Sequence, residues 1–403
     1  MAHTQGTVYQ ATWGKRDTQL ILPTNSSLSV TLSQDHLRSL TTARCITDAR
    51  PDARDRLWLN GDEEEIKEGG RTARCLEEMR ALRRKVESSD PSLPPLSTHP
   101  LHIASENNFP TAAGLASSAS GLSALIATLA RLYALDDAHG VSTSDLSRIA
   151  RQGSGSACRS MFGGYVAWEQ GERADGLDSV AVEVAPASHW PDLHALILVV
   201  SDKKKGTPST AGMQRTVATS ALLEHRIKHV VPARMERISR AILARDFDAF
   251  AQETMADSNQ FHAVCLDTAP PIFYLNDTSR AIMQLVAELN RASGRALAAY
   301  TYDAGPNAVL YVQEKDVRTV LDVVLRYFPQ TRASFPDPFG TGASPTGESQ
   351  VGIEGFNEGV IPRHEEGAVA RVIHTKVGDG PRTLDSDKEG LLDASGMPKS
   401  LRA

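Results

Sequence analysis

The run NNFPTAAGLASSASGLSALI at residues 107–126 sets a proline, two glycines and a cluster of small hydroxylated residues directly against an apolar stretch. From Leu122 the apolar residues continue at Leu125, Ile126, Leu129, Leu132 and Tyr133, which is the stripe of a helix. Arg131 falls about 180° from Leu122 on an ideal helix, on the wet face. An amphipathic helix is therefore expected to start near Leu115–Ser118, and LHIASENN before it reads as a strand running into a loop. A helix start leaves backbone N–H groups unpaired and carries partial positive charge. Gly, Ala and Ser in the preceding loop let a phosphate reach those groups. PTAAGLASSAS is thus built like a phosphate cradle, with Ser117 and Ser118 as hydroxyls for a phosphate or for Mg2+. A Ser-rich helix cap with glycines for close packing uses the same residues, and the loop alone does not separate the two. It lacks the lysine of a G-x-x-x-x-G-K-[ST] loop.

GSGSACRS at 153–160 repeats the pattern. Ser154 and Ser156 flank Gly155, and Arg159 follows within a turn, suited to a carboxylate or phosphate through two parallel hydrogen bonds. A capped helix with a surface arginine is the plainer alternative. Asp303 in YTYDAGPNAV stands at a strand end before a Gly-Pro turn. It either points into a cleft or simply forms the turn. WGKRD (13–17) and SDKKKGTPST (201–210) are basic loops, each an anion site or a solvated surface. His262 in SNQFHAVC reads as a satisfied structural histidine. No H-E-x-x-H, G-x-S-x-G or G-x-G-x-x-G fingerprint is present. Together, two Gly/Ser helix starts, several basic loops and one turn aspartate point to phosphoryl transfer onto an anionic substrate.

The length of 403 residues favours two domains. Strands and helices are mixed rather than strictly alternating, so the expected class is α+β. HALILVVSD (193–201) reads as a buried strand, 212–289 as mainly helical, and 295–313 as two β runs around DAGPN. GAVARVIHTKVGDG reads as a helix-to-strand element. Residues 331–367, rich in Pro, Gly, Ser and acid, read as a mobile surface insertion. The net charge of −6 argues against a nucleic-acid surface. No apolar run reaches membrane-spanning length, and MAHTQGTVYQ has no apolar core of a signal peptide. Cys45, Cys75, Cys158 and Cys265 are scattered, without C-x-x-C, which fits a reducing compartment. The expectation is a cytoplasmic protein with no nucleic-acid or membrane partner.

The stretches WGKRDTQLILPTNSSLSVTLS, ENNFPTAAGLASSASG, RIARQGSGSACRSMFGGYVAWE, ETMADSNQFHAVCLDTAPPIFYLNDTS and YTYDAGPNAVLY resemble the mevalonate diphosphate decarboxylases of the GHMP kinase superfamily, in their fungal form. The resemblance spans residues 13–313 almost without interruption. It implies a two-lobed α+β fold with a cleft between lobes at about 1–190 and 191–330, an insertion at 331–367, and a segment 368–403 packing back on the body. It implies ATP-dependent decarboxylation of mevalonate 5-diphosphate to isopentenyl diphosphate, with Mg2+ and as a homodimer. The substrate's 3-hydroxyl is phosphorylated, the phosphate leaves, and the electron-poor carbon accepts the electrons released with CO2.

Residue by residue, the resemblance gives Ser105, Asn107, Ala113, Gly114, Leu115, Ala116, Ser117 and Ser118 to ATP, with Ser118 also on Mg2+. It gives Thr12, Trp13, Gly14, Lys15, Arg71, Ser154, Gly155, Ser156, Ala157, Cys158, Arg159 and Thr210 to the substrate. Within that set Arg159 and Ser154 take the substrate carboxylate. Lys15, Ser156, Arg71 and the Thr210 loop take the diphosphate. Asp303, Arg159, Ser118 and Lys15 form the catalytic group. A carboxylate of ordinary pKa, about 3.9, cannot deprotonate a tertiary alcohol in advance, so Asp303 is expected to orient the hydroxyl and take its proton late. The sequence departs from the family before Trp13: Ala11 and Thr12 stand where a Lys and a Tyr are usual, and an N-I-A segment is missing. That departure leaves two alternatives beside the decarboxylase, a non-catalytic or weakened homologue and a related small-molecule kinase.

Overall fold

A computed structural model describes residues 2–3, 6–10, 13–48, 53–109, 117–201, 206–348 and 352–399. Three larger sheets, beside a two-stranded pair of Lys15–Asp17 with Leu22–Pro23, organise the described residues. The first orders Arg382–Thr383, Ala2–His3, Ser39–Cys45, Leu101–Asn107, Arg56–Leu59 and Asp62–Glu64. Only the 56–59/101–107 pair in it is parallel. The second orders Ala181–Ala185, Tyr165–Trp168, Ser27–Thr31 and Gly6–Gln10, and the third Ala299–Tyr302, Ala308–Gln313, Leu193–Val199 and Arg371–Lys376. The class is α+β, as the mixed pattern implies.

Strand Leu193–Val199 shows why the third sheet is central. All seven residues are buried, and alternate side chains enter different cores because successive residues of a strand face opposite ways. Leu196 and Leu198 meet Ile282, Leu285, Val320 and Val324 of helices Asp277–Ser293 and Val317–Tyr327. Leu193, Ala195, Ile197 and Val199 meet Leu28, Val30, Ile242 and Phe250, from the second sheet and from helices Val231–Ala244 and Phe247–Leu266. A third core is the N-terminal unit's own, filled by helices Arg71–Ser89, Ser117–Leu132 and Thr143–Gly153 over Leu57, Leu101 and Ile103. The helix starts are encoded locally. Ser142 and Asp145 form a capping box ahead of Thr143, and Asn276 and Ser279 another ahead of Asp277.

Two expectations change. Residues 331–367 carry little regular structure yet are not a loose surface insertion, because Phe335, Ala343 and Ile361 are buried in the same core as Leu196. Phe339 lies 5.0 Å and 4.2 Å, ring to ring, from His194 and His374. These two histidines sit on adjacent strands and share a hydrogen bond of 2.8 Å between Nδ1 and Nε2. Apolar residues spaced irregularly among prolines and glycines show no period, so burial of such a segment leaves no pattern to read. The helix expected before strand Arg371–Lys376 does not form; 367–370 lead straight into the strand.

The units are joined by main chain. Ser33 N–H donates to Lys376 O (2.8 Å), Gly378 N–H to Thr31 O (2.8 Å) and Gly164 N–H to Gly378 O (3.0 Å). The chain then runs on to pair Arg382–Thr383 with Ala2–His3.

Candidate active site

Trp13, Gly14 and Lys15 enter from the N-terminal unit, but Trp13 belongs to a core of the C-terminal one. Its ring is buried edge-on against Phe261 (4.9 Å) and Tyr274 (5.7 Å), and Nε1 donates to Thr216 Oγ1 (2.9 Å). Ala304 lines the same cluster. The indole therefore anchors the segment that leads to Lys15 in the same cluster as Ala304, the residue after Asp303. Gly14 accepts at its carbonyl from the Thr24 amide (3.3 Å). Arg16 is spent on the carbonyls of Gln170, Gly171 and Arg173.

Lys15 is half-buried near two other cations. Burial, then the charges of Arg71 and Arg74, push its amine down to about 8. Arg71 opens helix Arg71–Ser89 and donates from Nη2 to Thr210 Oγ1 (2.8 Å) in the first turn of helix Ser209–Thr219. Two helix N-termini thus converge on three cations. Among the described residues none of the three has a carboxylate partner within ion-pair distance. Positive ends of helices and unpaired cations at one place suit a polyanion.

Arg159 is buried and fixed. Its Nε donates to Ser29 Oγ (2.8 Å), its Nη1 to Ser27 Oγ, and its guanidinium lies 5.8 Å from the Trp168 ring centroid. Burial lowers its pKa, opposed by Cys158 and Asp303. Asp303 is therefore within electrostatic reach of Arg159, at the end of strand Ala299–Tyr302. Its loop is pinned from behind: Asn307 Oδ1 accepts from the amides of Val200 (2.7 Å) and Ser201 (2.9 Å), and Ser279 Oγ donates to Pro306 O (2.8 Å).

Ser118, exposed at the start of helix Ser117–Leu132, lies 3.2 Å from Ser154 across the two small-residue segments. Its hydroxyl is a hard oxygen of the kind magnesium takes. No group of three His, Cys, Asp or Glu among the described residues is arranged to hold a metal ion. Ala113, Gly114, Leu115 and Ala116 lie outside the described residues, as do Ala11 and Thr12. Ser105 and Asn107 are engaged within the first sheet. Ser105 Oγ meets Thr41 Oγ1 (2.9 Å), Ser39 Oγ donates to Asn107 Oδ1, and Asn107 N–H to Asn60 Oδ1 (2.9 Å).

In GSGSACRS the plainer alternative, a capped helix with a surface arginine, does not hold: Ser154 makes no side-chain cap bond and Arg159 is buried, while the glycines serve packing. A Cβ on Gly153 would stand 2.8 Å from Leu122 and 2.9 Å from Cys75, and one on Gly155 2.7 Å from Trp168. Both glycines are required for packing. The segment from Gly155 to Met161 is a 3-10 helix. Ala157 and Cys158 face cores, and burial pushes the Cys158 thiol up to about 11. Of the polar members, Ser156 is partly exposed, while Ser154 and Arg159 are buried behind it.

Three contributors escaped the sequence reading. Ser27 and Ser29 were legible as two hydroxyls two apart on one face of a strand. Arg74 was legible as the i+3 neighbour of Arg71. His262 is buried as expected but not satisfied: its Nε2 has no hydrogen-bond partner.

A family model described as the diphosphomevalonate decarboxylase-like N-terminal domain matches residues 8–181, and one described as the mevalonate 5-diphosphate decarboxylase C-terminal domain matches 195–384. The diphosphomevalonate decarboxylase of Ganoderma lucidum is 61% identical over 408 residues, 97% of this chain and 100% of that protein. A crystal structure of mevalonate 5-diphosphate decarboxylase is similar with a TM-score of 0.85 at 50% identity, over 98% of this chain and 97% of that one. A complex of MDDEF with MVAPP, AMPPCP and magnesium is similar at TM-score 0.70 and 28% identity, over 95% of this chain and 98% of that one.

Proposed function

The chain belongs to the diphosphomevalonate decarboxylase family, and on that premise we propose that it converts mevalonate 5-diphosphate and ATP to isopentenyl diphosphate, CO2, ADP and phosphate. It is an ATP-dependent carboxy-lyase on a two-lobed GHMP kinase fold. The observation that carries the assignment of roles is the charge layout: Lys15, Arg71 and Arg74 gather at two helix starts, while buried Arg159 lies within electrostatic reach of Asp303.

Lys15, Arg71 and the Thr210 turn take the diphosphate, with Ser156 beside them. Arg159, its fork preset by Ser27 and Ser29, takes the substrate carboxylate with Ser154. Binding the two ends of a short substrate fixes the carbon between them, which removes most of the orientational cost of reaction. Asp303 aligns the 3-hydroxyl and accepts its proton as the bond to phosphorus forms. Departure of the new phosphate leaves an electron-poor carbon, and the C–C bond electrons flow to it as CO2 leaves. Ser117 and Ser118, with residues 113–116, would hold the ATP phosphates, and a Mg2+ held there would screen their charge.

We place the molecule in the cytoplasm as a homodimer, with lobes dividing near residue 190, a division supported by the two family models. Sedimentation equilibrium tests the dimer. Incubation with mevalonate 5-diphosphate and MgATP tests the reaction, with ADP, phosphate and isopentenyl diphosphate measured together. Equal formation of all three, lost in Asp303→Ala, is expected. ADP without phosphate or isopentenyl diphosphate would make the protein a kinase. No turnover would remove the assignment.

A further inference from the structure

Asp303 follows the last residue of an edge strand, and an edge strand leaves half of its main-chain groups unpaired. Ala299–Tyr302 occupies one edge of its sheet, with Tyr302 opposite Ala308. Tyr302 N–H does not face Ala308; it donates to Ser258 Oγ at 3.0 Å, on helix Phe247–Leu266. In an antiparallel ladder a residue's N–H and C=O point to the same side. The Tyr302 carbonyl therefore also faces that helix. One helical turn beyond Ser258 stands His262, on the same face. Its ring packs against Tyr302 (6.2 Å), Tyr274 (6.5 Å) and Phe261 (4.7 Å) and hydrogen-bonds the Tyr302 main chain.

Since Nε2 is the nitrogen without a partner, the bond to Tyr302 O falls to Nδ1–H. Burial pushes this imidazole down to about 4, so it is neutral and its single proton is committed to that carbonyl. The helix cannot easily rotate away. Asp257, next to Ser258, is buried in an ion pair with Arg226 (2.7 Å), and Tyr300 Oη donates to Asn259 Oδ1 (3.0 Å).

We infer that Ser258 and His262 are positioning residues for Asp303: they clamp both polar groups of the preceding residue's main chain and so fix the direction in which the carboxylate leaves the strand. Asn307 and Ser279 hold the far side of the loop; Ser258 and His262 hold the near side. The clamp also touches the other half of the site, because Phe261 and Tyr274 pack on Trp13, two residues before Lys15. One helix thereby sets both the carboxylate and the amine. The role rests on the reading of Asp303 given above.

The test uses the full chain with MgATP and mevalonate 5-diphosphate. His262→Leu keeps bulk and removes the donor. His262→Asn offers an amide N–H close to the place of Nδ1–H. Misplacing a reacting group by about 1 Å costs on the order of 100-fold. His262→Leu is therefore expected to lose about 10- to 100-fold in kcat, with KM for mevalonate 5-diphosphate within about threefold, and His262→Asn to recover most of the loss. Deuterium exchange of the 299–308 segment, read without substrate, is expected to quicken in His262→Leu and not in His262→Asn. An unchanged kcat in the leucine variant overturns the clamp, as does a loss carried by KM or equal impairment of both variants. If the unaltered protein shows no turnover, the assignment of Asp303 falls by that result alone. Exchange then decides the clamp, and identical rates in all three proteins overturn it.

Discussion

Replacing both His194 and His374 by leucine should flatten the acid side of the stability profile. His374 is 1% exposed. Burial pushes it down to about 3, helped by the charges of His194 and His36 and opposed by Asp337. His194 is lowered by burial first, with Lys376 and His36 adding and Glu314 and Asp192 opposing. Phe339 closes over both rings, and the Nδ1 of His374 has no partner. Both folded pKa values lie below the unfolded value of about 6.5, so as pH falls the unfolded chain takes up protons first. The stability carried by the neutral pair is complete above about pH 6.5 and is lost progressively toward pH 3.

For His374 alone, linkage between pH 8 and pH 5 gives a loss of about 2 kcal/mol. With an unfolding entropy of about 2.1 cal/mol/K per residue, a chain of this size shifts its Tm by roughly 1.2 °C per kcal/mol. Thermal unfolding followed by circular dichroism at the two pH values, in parent and double variant, is the assay. Titrations common to both proteins cancel in the difference of differences. The parent should lose at least about 2–3 °C more than the variant on going to pH 5. Equal losses in the two proteins would refute the argument, because the pair would then not be held neutral by the fold.

Arg74→Ala removes one of the three gathered cations while leaving the Arg71–Thr210 bond in place. KM for mevalonate 5-diphosphate should rise several-fold with kcat nearly unchanged, and the Lys15 amine, followed by its rate of acylation against pH, should titrate above its present value of about 8. Gly155→Ala should destabilise by about 1–3 kcal/mol through overpacking against Trp168, measured by thermal melt. Because the guanidinium of Arg159 lies over the same indole, activity should fall with stability.

The strand Leu101–Asn107 and the helix Ser117–Leu132 were legible because the apolar period changes from two to 3.6 at a run of small residues. The DAGPN hairpin was legible from two β runs around one turn. GSGSACRS was read as a second Gly/Ser helix start, but a segment with room for a phosphate and one with room for Trp168 have the same composition. The contact between Arg71 and Thr210 joins residues 139 positions apart, and the Ser258–Tyr302 bond spans 44. Nothing local announces either. Phe335, Ala343 and Ile361 were illegible as core because their neighbours are mostly prolines and glycines, and only the surface they land on makes them inside residues.

The joint at Thr31–Ser33, Gly164 and Gly378 is built on main-chain bonds, with the Thr31 hydroxyl and the Gln34 amide donating to further main-chain carbonyls, and its glycines have a consequence for inheritance. A Cβ on Gly378 would lie 2.6 Å from the backbone of Ser33, and one on Gly163 2.7 Å from that of Gly380. Every one-base missense change in a glycine codon adds a Cβ, so these codons have no silent route to a different residue. Here no substitution supplies what is needed, which is empty space, and deleterious alleles should gather at this seam although no reacting atom comes near it.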